Sequence, residues 1–301
     1  MKRALIFGCG GMLGEAVYRR FSRDWQVLAT DIDVNEPWLE YLDVRDLPSV
    51  VKTAERFKLD LIINLAALTD LEFCELNPKE AWATNAVGQE NVCKAAKALN
   101  ATVVYISTAG IFDGKKEFYN DFDTPNPINV YGKSKHHGEI ITPKFIEKHY
   151  IFRAGWMMGG GPRKDKKFIN KIFKQIISGK KELFVIEDKL GTPTYTFDFA
   201  DQMLKVLGAD GYGLYNMVCT GDASRYDVAK EFLKCLHLED KIKLTVVSSD
   251  YYKKEYFAPR PYSEKLVDAK LTQKGLLSMR SWQECLREYS EVFLKELKKI
   301  K

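Results

Sequence analysis

No stretch of this sequence comes near the roughly 20 consecutive apolar residues that a membrane-spanning helix requires. The opening MKRALIFGCGGMLGE meets glycines and a charge before a secretory signal's apolar core can form. Both absences point to a cytoplasmic protein with no membrane partner. Cysteine is sparse and scattered: Cys9, Cys74, Cys93, Cys219, Cys235 and Cys285 include no CxxC pair. That excludes a zinc ribbon, a thioredoxin-like redox motif and a disulfide-stapled scaffold, and the six read as reduced, mostly buried thiols. Two of the four histidines, His136 and His137, are adjacent in a helix-like segment, so they do not face a common ligand, and no HExxH accompanies them. No metal site is expected. Neither sign of charge dominates. The balance of 46 basic against 41 acidic residues, net +5, is too mild for a nucleic-acid binder, though it suits an anionic small substrate.

What is present is an ordinary globular composition, 46% apolar and 29% charged, outside the disordered range. At 301 residues the chain has room for one large domain or two modest ones. Its first half alternates β-branched apolar runs (residues 4–7, 26–30, 60–66, 102–107 and 149–154) with helix-like segments such as GEAVYRRFS, LPSVVKTAERF, KEAWATNAVGQENVCKAAKAL and SKHHGEIITPKFIEK. This is the pattern of a parallel sheet covered by helices. The expected fold is α/β: a doubly wound parallel Rossmann sheet over residues 1–155, then a smaller α/β substrate-binding lobe over 156–301. The strand-like LYNMV makes a return to the sheet near 193–220 an expectation as well. The lobe boundary falls where the glycine- and lysine-rich GGGPRKDKK interrupts the alternation.

Directly after the first strand, Gly8, Gly10, Gly11 and Gly14 enclose Cys9, Met12 and Leu13 in a GxxGxxG-type turn that opens into a helix. Glycines let such a turn tighten and let backbone amides approach a diphosphate seated at the helix's positive end. Asp31 closes the second strand at the spacing of a carboxylate that accepts from the adenosine ribose hydroxyls. That carboxylate repels a 2′-phosphate, and no arginine follows it closely. The expected cofactor is NADH, with NADPH the alternative.

Tyr131 and Lys135 form a YxxxK spacing on one helix face. The expectation is that the Lys135 ammonium lowers the proton affinity of the Tyr131 phenol. Ser107 and Thr108 end the preceding strand, where a hydroxyl meets a substrate carbonyl opposite the tyrosine. The run Arg163, Lys164, Lys166, Lys167, Lys171, Lys174 reads either as a solvated face or as a diphosphate contact.

With GCGGMLG, NLAALTD, NAVGQENV, YISTAGIFDG, PNPINVYGKSKHHGE, FRAGWMMG, GTPTYTFDFAD and APRPYSEKL together, the sequence resembles the extended short-chain dehydrogenase/reductases, and within them the dTDP-4-dehydrorhamnose reductases. The resemblance implies that Thr108, Tyr131 and Lys135 are catalytic. It implies that Asp31 binds ribose, that Asp43 and Val44 flank the adenine, and that Ala66 and Ala67 flank the cofactor phosphate and ribose. Trp156 lines the sugar pocket and Arg260 lies at its far end. The implied substrate is a nucleotide-linked sugar, with a homodimer through the helix of Trp82 left open. One departure stands out. The rhamnose reductases usually read STD and an aromatic residue where this chain has Ser107, Thr108, Ala109 and Gly110, and the missing carboxylate and ring are expected to face the sugar. A sugar-nucleotide epimerase with tightly held NAD, and a non-catalytic subunit like the methionine adenosyltransferase β subunit, resemble the same motifs.

Overall fold

Residues 4–7 are buried on both sides of the chain: Ala4 and Ile6 enter one apolar cluster, Leu5 and Phe7 another. A strand with no polar face belongs in the middle of a sheet covered by helices on both sides. The computed structural model, which describes residues 1–209 and 211–300, places it there.

In chain order the strands are β1 (Lys2–Phe7), β2 (Trp25–Asp31), β3 (Glu40–Tyr41), β4 (Leu61–Asn64), β5 (Thr102–Thr108), β6 (His149–Ala154) and β7 (Trp156–Met158). They continue as β8 (Glu182–Ile186), β9 (Leu190–Gly191), β10 (Pro193–Tyr195), β11 (Gly213–Asn216), β12 (Ala223–Ser224), β13 (Lys243–Val247) and β14 (Ser263–Glu264). Seven of them form one parallel sheet in the order β11-β6-β5-β4-β1-β2-β3. The chain winds outward from β1 in one direction and then, from β4, in the other. The crevice at the carboxyl ends of β1 and β4 is therefore the switch point where such sheets bind ligands.

Helices Leu47–Phe57 and Gly88–Leu99 cover one face through Val50, Ala54, Val92 and Ala96. Helices Gly14–Phe21 and Thr196–Leu207 cover the other through Val17, Phe21, Phe199 and Met203. The segment KEAWATNAVGQENVCKAAKAL, read above as one helix, is Pro78–Trp82, a π-helical turn Ala83–Val87, and then Gly88–Leu99. The widened turn sits at Asn85, whose side chain is committed to contacts described below. LYNMV does return: β11 joins the open edge of the sheet beside β6.

Beyond Ala154 the pieces are short. β7 pairs with β10, β8 with β13, and β9 lies between β12 and β14. The helices Phe168–Ile177, Arg225–Cys235 and Trp282–Ile300 complete this part through Phe173, Phe232 and Phe293. Among the described residues no helix is long and apolar enough to cross a membrane. All six cysteines are unpaired, with Cys235 half-buried and the rest buried.

Candidate active site

The turn after β1 is built on close approaches. Gly8 adopts a φ of +69°, and a Cβ there would lie 2.5 Å from the Ala66 amide nitrogen, so the loops after β1 and β4 meet without side chains between them. A Cβ on Gly14 would overlap the carbonyl oxygen of Cys9. Gly11 has open space, its nearest neighbour being the Gly8 oxygen at 3.4 Å. The amides of Met12 and Leu13, just ahead of the helix Gly14–Phe21, have no acceptor among the described residues. Unpaired amides, a bare glycine surface and a helix N-terminus fit a dinucleotide's diphosphate.

Asp31 ends β2 with both carboxylate oxygens engaged: the Gly10 amide donates to Oδ2 at 2.8 Å and the Asp33 amide to Oδ1 at 3.0 Å. No arginine follows it closely in the sequence, but the fold brings a lysine from a distant segment into electrostatic reach. Lys164 acts electrostatically on both Asp31 and Cys9, and its Nζ lies 2.9 Å from Glu36, which also pairs with Arg163. Asp43 is gripped by Arg45, with Nη2 to Oδ2 at 2.7 Å, and this holds its carboxyl below the usual range. Beside it, Val44 is buried and its carbonyl accepts from Asn91 at 3.1 Å.

Ala66 and Ala67 lie in the loop after β4, and the Ala66 amide donates to Asn64 Oδ1 at 3.0 Å. From there a buried chain of amides runs across the sheet: Asn64 to Gln89 at 2.8 Å, Gln89 to Thr142 at 2.9 Å, and Thr142 to the Gly138 carbonyl at 2.6 Å. Asn85 does the same one level higher. It brackets Leu68 through both backbone groups and donates to Ser134, which donates to the Tyr131 carbonyl. These buried polar groups hold the cofactor loop and the Tyr131 helix in fixed register, since leaving any one unpaired costs about 1–3 kcal/mol.

That helix, Val130–Phe145, is capped by Asn129, whose Oδ1 accepts from the Gly132 amide at 2.7 Å, while Glu75 accepts from the Val130 amide. Gly132 lets the first turn sit directly on the Gly110 carbonyl, which any side chain there would overlap. Tyr131 is thereby brought up to Thr108 at the end of β5. The Thr108 Oγ1 accepts the Gly110 amide at 3.1 Å, leaving its proton to donate. Ser107 is buried and its hydroxyl has no partner among the described residues.

Electrostatically the pair differs from expectation. Burial pushes the Tyr131 phenol up to about 12, against a smaller lowering by the Thr108 hydroxyl, and Lys135 is not among the groups that act on it. Lys135 is itself buried, with Nζ 4.2 Å from the centre of the Tyr105 ring. Desolvation brings its ammonium down to about 7, partly offset by Glu139. That ammonium has no hydrogen-bond acceptor in the described chain, while Tyr105 Oη donates to the Lys135 carbonyl at 3.0 Å and fixes its backbone.

Across the cleft, Trp156 begins β7. Its indole lies against Gly191, is covered by the Arg225 guanidinium 3.6 Å from the ring centre, and donates through Nε1 to Glu264 at 2.8 Å. Arg260 forms a bidentate pair with Glu72 at 2.7 and 2.9 Å. Burial works to raise the Glu72 carboxyl, but the guanidinium outweighs it and holds it low. Both terminal nitrogens of the Arg260 guanidinium are thus engaged, tying this segment to helix Leu71–Leu76. At the positions of the two missing side chains, Ala109 packs in a small apolar cluster with Ile111 and Phe112, while Gly110, also buried, is bordered by Glu264 and Thr108. Trp82 is partly exposed and meets His137 edge-on at 5.3 Å.

Sequence reasoning missed Asn64, Asn85, Gln89, Arg225, Glu264 and the Glu36 pairings. For the first three a signal existed, namely amide side chains inside otherwise apolar segments.

The comparisons agree with this geometry. Residues 1–294 match the model of the RmlD substrate binding domain family. The spore coat polysaccharide biosynthesis protein SpsK of Bacillus subtilis is 30% identical over 291 residues, 96% of this chain and 97% of that protein. The crystal structure of a dTDP-4-dehydrorhamnose reductase from Clostridium acetobutylicum superposes with a TM-score of 0.86 at 32% identity, covering 96% of this chain and 99% of that one. The dTDP-4-dehydrorhamnose reductase of Bacillus anthracis, solved in complex with NADP, gives 0.86 at 28% identity over 96% and 98%. With a glycine turn whose Met12 and Leu13 amides lack acceptors among the described residues, a Tyr131–Thr108 pair on the same sheet and a family match over residues 1–294, the chain is an oxidoreductase of the RmlD substrate binding domain family.

Proposed function

We propose that the protein uses NADH to reduce the 4-keto group of a nucleotide-linked 6-deoxysugar, converting dTDP-4-dehydrorhamnose to dTDP-L-rhamnose. The observation that carries this reading is the Tyr131–Thr108 pair, a phenol kept protonated by burial and a donor hydroxyl at the carboxyl end of β5, on the same sheet whose first strand runs into a bare glycine turn. In this reading residues 1–155, with β11, hold the cofactor and the remainder holds the sugar.

Gly8, Gly10, Gly11, Met12, Leu13 and Gly14 would hold the diphosphate, Asp31 the adenosine ribose, Asp43 and Val44 the adenine edge, Ala66 and Ala67 the middle of the cofactor, and Lys135 with Tyr131 the nicotinamide ribose. Bound there, the nicotinamide supplies a hydride to the carbonyl carbon. Thr108 donates to the carbonyl oxygen and polarises it. Tyr131 then passes its proton to that oxygen as it becomes anionic; a phenol kept protonated by burial is ready for this direction of reaction. Trp156 forms the wall against which the sugar ring is placed.

The unpaired Lys135 ammonium makes the cofactor site sensitive to pH. The charged form exists below about 7 and is lost as pH rises through that value. One hydrogen bond from a charged group is worth about 1.5–3 kcal/mol, so NADH affinity is expected to fall by roughly 10- to 100-fold between pH 6 and pH 9. Lys135→Met should bind weakly throughout with a flat profile. Fluorescence titration at several pH values checks this, and a flat wild-type profile would contradict it.

NADH over NADPH rests on charge. In this reading Asp31 would face the 2′ position, and Glu36 already pairs with Arg163 and with Lys164, the cation that acts on Asp31. The wild type is expected to prefer NADH in kcat/KM. Asp31→Ala should narrow or reverse that preference by removing the repulsion, and Glu36→Gln should raise NADPH use by releasing the cations. Tighter NADPH than NADH binding by the wild type would show that Arg163 and Lys164 already serve the phosphate.

A further inference from the structure

We propose that Glu264 is the carboxylate that reads the sugar: its Oε1 accepts a hydrogen bond from a substrate hydroxyl next to the carbonyl, supplying from the second lobe an acid that the turn after β5 lacks at Ala109 and Gly110. The inference rests on the reductase reading and goes beyond it by naming a specificity-determining residue and the group it selects.

Glu264 is held in place from several sides. On β14 it is in register with Gly191 of β9, and Gly191 is the residue on which the Trp156 indole rests, since any side chain there would overlap the ring. The indole Nε1 donates to Oε2 at 2.8 Å, and the Arg225 guanidinium that covers the other side of the ring interacts electrostatically with the same carboxylate. Arg225 makes no hydrogen bond of its own in the described chain, so its charge remains to balance an anion in a half-buried place where an isolated one would be costly.

The other oxygen, Oε1, receives no donor from the described chain, and its direction is defined by Gly110. A Cβ at Gly110 would stand 3.4 Å from Oε1 and 3.5 Å from Thr108 Oγ1. The carboxylate and the proposed carbonyl-binding hydroxyl therefore both border the buried Gly110, whose missing side chain leaves a Cβ-sized space between them. Glu264 also acts electrostatically on Tyr131, placing it on the reacting side of the cleft. A carboxylate only accepts, so its partner must be a donor; it repels a diphosphate and suits a sugar hydroxyl. Both oxygens lie in contact range of one Cβ position at Gly110, which suits a hydroxyl adjacent to the carbonyl held by Thr108.

The test compares two substrates: a nucleotide-linked 4-keto-6-deoxysugar, and its analogue lacking the hydroxyl on the carbon beside the carbonyl. Both are reduced by NADH with wild type, Glu264→Gln, Glu264→Asp and Trp156→Phe. Wild type is expected to favour the hydroxylated sugar by about 10- to 100-fold in kcat/KM, the span of one charge-assisted hydrogen bond. In Glu264→Gln that preference should collapse to within about 3-fold, mainly through KM, with NADH affinity unchanged, while Tm falls because the buried Arg225 loses its counter-charge. Glu264→Asp, which keeps the charge but withdraws it, should fall between, and it serves if the glutamine variant does not fold. Trp156→Phe, whatever its rate, is expected to keep the preference. If it loses the preference as Glu264→Gln does, Glu264 acts only by positioning Trp156 and the proposal is overturned. A Glu264→Gln variant that discriminates like wild type overturns it directly. Wild-type protein that binds NADH yet reduces neither sugar overturns the reductase reading itself, and this inference with it.

Discussion

Tyr131→Phe is expected to fold, to weaken NADH binding by no more than about 10-fold through the lost hydroxyl contact to the ribose, and to lose about 10²- to 10⁴-fold in kcat, the usual contribution of a positioned general acid. The substitution removes one oxygen and leaves intact what builds the helix start: the Asn129 cap, the Glu75 contact to the Val130 amide, and the Ser134 bond to the Tyr131 carbonyl. Because the phenol is pushed up to about 12, it is fully protonated across the working range, and the loss should be the same at pH 6 and pH 8. Thr108→Ala should cost less, since it removes one hydrogen-bond donor to the carbonyl and leaves the proton donor in place. Steady-state and single-turnover rates at saturating NADH check both. A Tyr131→Phe enzyme retaining more than about a tenth of the activity would remove Tyr131 from the acid role.

Two neighbouring glycines should fail in different ways. At Gly14 an added methyl overlaps the Cys9 carbonyl, which is backbone and gives way only if the turn opens. Gly14→Ala should therefore lower Tm and cost about 1–3 kcal/mol, the range for overpacking a filled site. It should also abolish measurable NADH binding. At Gly11 the same methyl meets nothing nearer than 3.4 Å. Gly11→Ala should keep the wild-type Tm but weaken NADH binding by an order of magnitude or more, because the space it enters is the diphosphate's approach to the Met12 and Leu13 amides. Thermal melts with and without NADH separate the two. Equal behaviour of the variants would mean that the turn's glycines serve folding alone.

The parallel sheet was legible because its strands are buried on both faces and written as short β-branched runs between amphipathic helices; residues 47–57 and 149–154 match their expected bounds. The helix over 78–99 was legible as helix but not as broken, because composition carries no sign that Asn85 has to reach Leu68 and Ser134. The second lobe was harder. Its strands are two to five residues long, and so short a run gives periodicity little to work with. Within the site, local motifs led to Tyr131, Lys135, Thr108 and the glycines, which lie on or beside single elements. Glu264, Arg225 and Glu36 reach the cleft from positions far from those motifs, and only the folded chain brings them there. The Lys135 effect on Tyr131 was misjudged for a related reason: helical spacing establishes a shared face, but burial decides which groups act on the phenol.

The central claim is that this geometry transfers a hydride to a nucleotide-linked keto sugar and completes the reduction with a proton from Tyr131. The most direct measurement follows NADH loss on addition of dTDP-4-dehydrorhamnose and identifies the sugar product. One NADH consumed per sugar, with dTDP-L-rhamnose as product and turnover slowed by about 10²-fold or more in Tyr131→Phe, is the predicted result. Wild-type protein that binds NADH yet consumes none, whether it leaves the sugar untouched or merely inverts a centre with cofactor retained, would contradict it.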